Sequence, residues 1–132
     1  MKRRAFIAAA AAMAGTGQAV AAPAGSEPGV GVIFVGASWC AFCKSAAPVL
    51  AAVTQPAGIA VLVASKDGRP IPPFADVVDA GSHPLAQQIT ELPTTLIYSQ
   101  ARGGVTGTIR GYRNARHYAQ LVAAGLRGAG AG

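Results

Sequence analysis

Two cysteines, Cys40 and Cys43, are the residues in this sequence whose type and spacing are best suited to chemistry. They are the only cysteines in the chain. Because two residues separate them at the predicted start of a helix, their side chains share a face and their sulfurs can approach to disulfide distance. A disulfide across so short a loop constrains little of the unfolded chain, which makes a purely stabilising role a poor explanation. The spacing therefore predicts a redox-active dithiol.

The elements that must position this pair are a strand and a helix. Residues 31–36 are nearly all apolar, which predicts a strand buried on both faces, and a helix is predicted over residues 40–54. The first cysteine would then lie among unpaired backbone N–H groups at the positive end of the helix dipole, where a thiolate is favoured. Because the thiolate is the nucleophile in thiol–disulfide exchange, we expect Cys40 to attack and Cys43 to resolve.

The residues around the pair resemble the thioredoxin superfamily. Trp39 precedes the first cysteine, Lys44 follows the second, and Pro48 lies five residues after the second cysteine. A later segment, Leu92-Pro93-Thr94-Thr95, precedes a predicted strand. These residues match the superfamily pattern in kind and order. The resemblance implies a thiol–disulfide oxidoreductase with Cys40 and Cys43 as its catalytic residues, without a cofactor or a metal.

The resemblance also implies where a substrate would bind. In this superfamily the proline that precedes the strand is cis and packs opposite the cysteines, so we expect a cis bond at Pro93. Leu92, with Thr94 beyond it, would offer the edge to which an extended substrate peptide adds. Trp39 and Phe42 would form an apolar lip around the dithiol.

Two departures from the superfamily pattern concern the chemistry of the thiols. Thioredoxins carry a buried acid on the strand before the cysteines, and Phe34 stands in that place here. No carboxylate occurs within residues 31–53. We therefore expect water, or Glu91, to take part in moving the proton of the resolving cysteine. Phe42, between the cysteines, supplies no imidazolium, which argues against a strongly oxidising protein.

The predicted fold class is α/β, a minimal thioredoxin-like fold that lacks the first strand–helix unit of the superfamily. We expect a four-stranded mixed sheet flanked by about three helices. The strands are predicted at residues 31–36, 59–64, 94–99 and 105–112, and the helices at residues 40–54, after Pro84 and after Asn114. Without the first unit, the strand at residues 59–64 would lie at an exposed sheet edge.

The first 21 residues predict a signal peptide that is cleaved after Ala21. A basic start is followed by an alanine-rich apolar run and a small-x-small cleavage site, Ala19-Val20-Ala21. Arg3-Arg4 resembles the twin-arginine consensus, with a general secretory signal as the alternative. Residues 22–30 are predicted to be a flexible tether, and residues 31–128 a thioredoxin-like domain. We expect an exported, periplasmic protein of bacterial origin.

The charge of the chain gives little support to nucleic-acid binding. Without Lys2, Arg3 and Arg4 the chain keeps eight basic and five acidic residues, a net charge of +3. No basic stripe with interleaved aromatic residues is present, so we expect no nucleic-acid partner. His83 and His117 lack zinc-site spacing relative to the cysteines, so no metal site is predicted from them.

The leading functional hypothesis is a periplasmic reductant of cysteine-containing proteins. Such a protein would need a redox partner in the membrane to supply electrons. A disulfide oxidase or isomerase is the alternative within the same chemistry. From another class, a copper-binding or assembly chaperone could use the cysteine pair as soft ligands, and a redox-inert interaction domain is a third possibility. The sequence does not indicate the oligomeric state or the direction of electron flow.

Overall fold

The computed structural model describes residues 29–130 of the 132-residue chain. The predicted signal peptide, residues 1–21, and nearly all of the predicted tether lie outside the described residues. Within residues 29–130, no helix is long and apolar enough to cross a membrane.

Five strands and two α-helices make up the described part of the chain. In chain order they are β1 (Val30–Gly36), α1 (Ala41–Thr54), β2 (Ala60–Ser65), β3 (Val78–Asp79), β4 (Thr94–Ser99), β5 (Gly104–Arg110) and α2 (Ala115–Gly128). Two single 3₁₀ turns, Ala80–Ser82 and Ala86–Gln88, lie between β3 and β4. The sequence predicts each long element to within two residues at either end.

The strands form one mixed sheet in the order β3-β2-β1-β4-β5. β1 lies at its centre, parallel to β2 and antiparallel to β4, and β5 is antiparallel to β4. Both faces of β1 are covered, which explains why its sequence is a continuous apolar run and not an alternating one. Phe34 and Val35, on opposite faces, are both fully buried.

The two faces of the sheet are covered differently. Val32 and Phe34 pack on one side against α1 and α2, in the cluster that also holds both cysteines. Ile33 and Val35 pack on the other side against Ala80 and Ala86, from the two 3₁₀ turns. The cysteines therefore belong to the helical layer of the fold.

The predicted α/β class with a mixed sheet is confirmed, but the predicted element counts are wrong. The sheet has five strands and not four, because Val78 and Asp79 pair in parallel with the end of β2. Two α-helices are present among residues 29–130, not three. The segment after Pro84 forms only a 3₁₀ turn, and the β-branched Ile89 and Thr90 that follow it disfavour continuation as a helix.

The predicted exposed edge at β2 is only partly correct. β3 pairs with Ala64 and Ser65 and leaves the first half of β2 without a neighbour on that side among residues 29–130. Leu62, in this open half, is 36% exposed.

Candidate active site

Cys40 occupies the N-cap of α1. The turn that leaves β1 is closed by a hydrogen bond from Cys40 N to Ala37 O of 3.2 Å. Cys40 itself has extended backbone geometry, and its Sγ accepts a hydrogen bond of 3.2 Å from Cys43 N, one of the free N–H groups at the start of the helix. The sulfur therefore stands where capping residues normally place an oxygen, at the positive end of the helix dipole.

Cys43 lies one turn further and is fully buried, whereas Cys40 keeps 8% of its surface exposed. A Cβ atom at Gly36 would lie only 3.1 Å from Cys43 Sγ, so a larger residue where β1 ends would press on the sulfur. Burial and a hydrogen bond with Cys40 raise the pKa of the Cys43 thiol to about 12. Both thiols are free in this structure. The geometry thus separates a thiol that reaches the surface from a thiol held neutral behind it.

A loop after β2 holds the turn that carries Cys40. Asp67 accepts hydrogen bonds from the backbone N–H of Ser38, at 3.1 Å, and from the Ser38 hydroxyl. The Ser65 hydroxyl donates to the same carboxylate at 2.7 Å. These bonds from Ser38 and Ser65 hold the pKa of Asp67 well below its usual range. Asp67 therefore works as a charged clamp on the residue two places before Cys40.

The predicted aromatic lip lies at the surface on either side of Cys40. Trp39 is 68% exposed and Phe42 is 60% exposed, the two most exposed large apolar side chains among residues 29–130. Side chains of this size are normally buried, so their exposure beside a dithiol is consistent with contact to another molecule. Their role in substrate binding remains a prediction.

The Leu92–Pro93 peptide bond is cis, as predicted. The register of β1 and β4 places Thr94 opposite Val35, so Pro93 lies beside the end of β1 from which the turn to Cys40 departs. Leu92 is half-buried and packs against the cluster that contains both cysteines. Thr94 is buried, and its hydroxyl donates to Glu91 O at 2.6 Å. The roles of Leu92, Pro93 and Thr94 in substrate binding remain predictions.

Sequence reasoning missed a pair of buried hydroxyls in the same layer. Thr95 is paired with Phe34 across the β1–β4 ladder, and its Oγ1 lies 2.6 Å from Tyr118 Oη on α2. Both side chains are essentially unexposed. Burial raises the pKa of Tyr118, and an ionised Cys43 would raise it further, so the tyrosine is a neutral hydroxyl. Only the strand register, which the sequence does not state, could have placed this pair.

Glu91, the predicted participant in proton transfer, does not share a groove with the cysteines. Glu91 is exposed and borders a groove of about 180 Å³ that is lined in part by Gln88 and Arg110 and by neither cysteine. Within the described residues, no group of three or more His, Cys, Asp or Glu side chains could hold a metal ion.

A mixed sheet, a Cys-x-x-Cys pair at the start of its first helix and a cis-proline before β4 together define a thiol–disulfide oxidoreductase of the thioredoxin superfamily. A sequence comparison identifies the family within this superfamily. The family model described as TraF: F plasmid transfer operon protein matches residues 16–126, and the chain therefore belongs to this family. No curated protein sequence matches the chain.

Solved structures with this fold come from several bacteria. A thio-disulfide isomerase from Thermus thermophilus is 25% identical, with a TM-score of 0.56 over 77% of this chain and 80% of that chain. A thiol:disulfide interchange protein from Chlorobium tepidum TLS is 20% identical, with a TM-score of 0.52 over 77% of this chain and 81% of that one. The exposed lipoprotein thioredoxin Etrx1 of Streptococcus pneumoniae strain TIGR4 is 16% identical, with a TM-score of 0.56 over 75% and 84%.

Alkylation should distinguish the two thiols. Because burial raises the pKa of Cys43 to about 12, its thiol stays protonated at pH 7 and ionises more as the pH rises. Iodoacetamide should therefore modify Cys40 of the reduced protein first, as peptide mass spectrometry would detect. In Cys40→Ser, the remaining thiol should resist modification in buffer and react in urea. Equal rates for the two thiols of the native protein would contradict this assignment.

Loss of the Asp67 clamp should change the acid stability. Because the folded pKa of Asp67 lies below the unfolded reference of 3.8, its contribution is complete above that reference and is lost as the pH falls below it. The free energy of unfolding, from urea titrations at about pH 6 and about pH 3, should fall less steeply in Asp67→Asn than in the wild type. Asp76→Asn, at an exposed carboxylate, is the matched control. The same acid dependence in all three proteins would refute the clamp.

Proposed function

We propose that the protein is a periplasmic reductant of disulfides in other proteins. The observation that carries the proposal is the asymmetry of the pair: Cys40 caps α1 and reaches the surface, and Cys43 is buried directly behind it. An attacking thiol must meet a foreign disulfide, whereas a resolving thiol must meet only its partner. The two environments match these two tasks.

The exchange uses only the atoms of the pair and the substrate. The Cys40 thiolate attacks one sulfur of a substrate disulfide, a new S–S bond joins the two proteins, and the other substrate sulfur leaves as a thiolate. Cys43 loses its proton to solvent and attacks Cys40 Sγ, which breaks the mixed disulfide and releases the second substrate thiolate. The substrate gains two electrons, and the protein ends with a Cys40–Cys43 disulfide.

The residues between the cysteines favour the reducing direction. A strong oxidant has an unusually stable reduced form, because charged groups stabilise its thiolate. Here Ala41 and Phe42 lie between the cysteines and carry no charge, and burial keeps Cys43 in its neutral form. The Cys40 sulfur has the start of α1 beside it but no charged side chain between the cysteines, which supports a potential below that of the strong oxidants.

The substrate surface that fits this chemistry lies around the cysteines. Trp39 and Phe42 would pack on apolar residues next to the substrate disulfide, and the segment at Leu92 and Pro93 would pair with its extended backbone. Substrates of this kind are proteins with accessible cystines. Because each turnover oxidises the pair, a redox partner at the membrane would return the electrons.

Export rests on the leader-like sequence of residues 1–21. Its basic start, apolar run and Ala19-Val20-Ala21 site have the composition of a signal peptide. One protein of similar fold is described as an exposed lipoprotein, which is in keeping with an extracytoplasmic role for this chain. In that compartment, a reductant requires a dedicated electron supply.

The reduction potential of the pair tests the proposed direction. Equilibration of the protein in dithiothreitol buffers, with thiol alkylation as the readout, should give a value near that of thioredoxin, about −270 mV. As a control for the assignment of the thiols, Cys43→Ala should accumulate a mixed disulfide with a cystine-containing protein, and Cys40→Ala should not. A potential near that of strong periplasmic oxidants, about −120 mV, would overturn the reductant.

The aromatic lip makes a separate prediction. Trp39→Ala should lower kcat/KM for reduction of a folded protein disulfide about tenfold. The reason is the loss of the aromatic contact that Trp39 would make with the bound substrate, of roughly 1.5 kcal/mol. Its effect on a small disulfide such as oxidised glutathione should be slight. Leu121→Ala removes another exposed apolar side chain, 39% exposed on α2, and is the matched control. Equal effects of Trp39→Ala on both substrates would exclude a role in protein recognition.

A further inference from the structure

The mechanism leaves unexplained two buried hydroxyls on adjacent elements of the helical layer. Thr95 Oγ1 and Tyr118 Oη are 2.6 Å apart, and their side chains are 0% and 1% exposed. Burying hydroxyls in an apolar layer is costly unless they are fully hydrogen-bonded. A threonine and a tyrosine in these places therefore need a reason beyond packing.

The register of the sheet places this hydroxyl pair on the face of the sheet that also holds Cys43. Residues that are paired across a ladder point to the same face, so Thr95 lies on the face of Phe34. Gly36, two residues after Phe34, is on that face as well, and it is the residue against which Cys43 Sγ packs. Tyr118 belongs to the same buried cluster as Cys43, which it enters from α2. The pair and the resolving thiol thus share one buried compartment.

One O–H group of the hydroxyl pair is not used in the hydrogen bond between Thr95 and Tyr118. Two hydroxyls that bond to each other use one O–H, and the other O–H is left to donate elsewhere. Within residues 29–130, no other hydrogen bond is recorded for either hydroxyl. A buried donor without an acceptor is unfavourable by about 1–3 kcal/mol. An anion in the same compartment would provide that acceptor.

Within residues 29–130, few ionisable groups lie in or against the buried cluster that holds Cys43. Cys40 is at the helix cap and Tyr118 is on α2, and the Tyr112 ring centroid is 5.6 Å from that of Tyr118. β1 presents Phe34 and Gly36, and the loop after β2 presents Ile71. None of these is a carboxylate or a cation. An ionised Cys43 would therefore find its stabilising partner among hydroxyls.

We propose that the Thr95–Tyr118 hydroxyl pair, which lies beside Phe34, stabilises the Cys43 thiolate during resolution. The spare O–H donates toward the sulfur as its charge develops. Tyr118 remains protonated, so the pair is a positioning element that acts through Cys43, and the proton of Cys43 still passes to water. This inference rests on the thiol–disulfide exchange of the proposed function and not on its direction or compartment.

A single-turnover reaction with Ellman's reagent isolates the relevant step. The Cys40 thiolate displaces one thionitrobenzoate and forms a mixed disulfide; Cys43 then attacks Cys40 Sγ and releases the second thionitrobenzoate. The second release should be about tenfold slower in Tyr118→Phe at neutral pH, because a hydrogen bond to a charged group is lost. Between about pH 6 and about pH 9, the plot of the second-release rate against pH should be displaced by about one pH unit toward higher pH, relative to the wild type.

Matched variants separate this role from packing. Tyr112→Phe removes a hydroxyl from the neighbouring ring and should leave the second release unchanged. Thr95→Val should slow it as Tyr118→Phe does, and Thr95→Ser, which keeps the hydroxyl, should restore it. Thermal unfolding followed by circular dichroism, and the unchanged rate of the first release, would identify any variant that is merely misfolded.

The outcomes distinguish this inference from the proposed function. Wild-type second-release profiles in both Tyr118→Phe and Thr95→Val would overturn the role of the pair, while Cys40 chemistry and the reduction potential could stand. A shifted profile in a protein with an oxidising potential would support the pair and overturn the reductant. A profile shifted in Glu91→Gln, with none in Tyr118→Phe, would assign the proton step to Glu91 instead.

Discussion

Burial of Cys43 behind Cys40 is the constraint on which the rest of the site depends. A thiol that is fully removed from water resists ionisation, and its pKa of about 12 expresses that cost. The burial is possible because β1 ends in Gly36, which leaves room for the sulfur at 3.1 Å from the place of a side chain. Cys40, at the helix cap, keeps 8% of its surface exposed. The close fit of Cys43 against Gly36 thus contributes to the asymmetry of the pair.

The centre of the sheet transmits this constraint to the other parts of the site. β1 is flanked by β2 and β4, and each neighbour sends a segment to the end of β1. After β2 comes Asp67, which binds the turn at Ser38. Before β4 comes the cis bond at Pro93. The turn that carries Cys40 is therefore held by Asp67 on the side of β2, and Pro93 lies beside the end of β1 on the side of β4.

Much of this arrangement is predictable from local sequence signals. Cys40 and Cys43 have a spacing with direct chemical meaning, and the apolar runs predict the long strands because burial requires them. The short β3 escapes prediction because Val78 and Asp79 form a strand only through their neighbour β2. Asp67 and Tyr118 escape it for a related reason: their partners Ser38 and Thr95 are 29 and 23 residues away. Contacts of this range follow from register and packing, which no local pattern contains.

The exchange of a buried acid for a neutral pair has its own physical logic. A carboxylate at the position of Phe34 would itself be desolvated, and its own titration would be coupled to that of the thiol. A threonine hydroxyl does not titrate, and burial raises the pKa of Tyr118, so both hydroxyls are neutral at the pH of the reaction. The compartment then offers a dipole without adding a charge. Resolution would lose the assistance of an internal base, but its pH dependence would follow the single ionisation of Cys43.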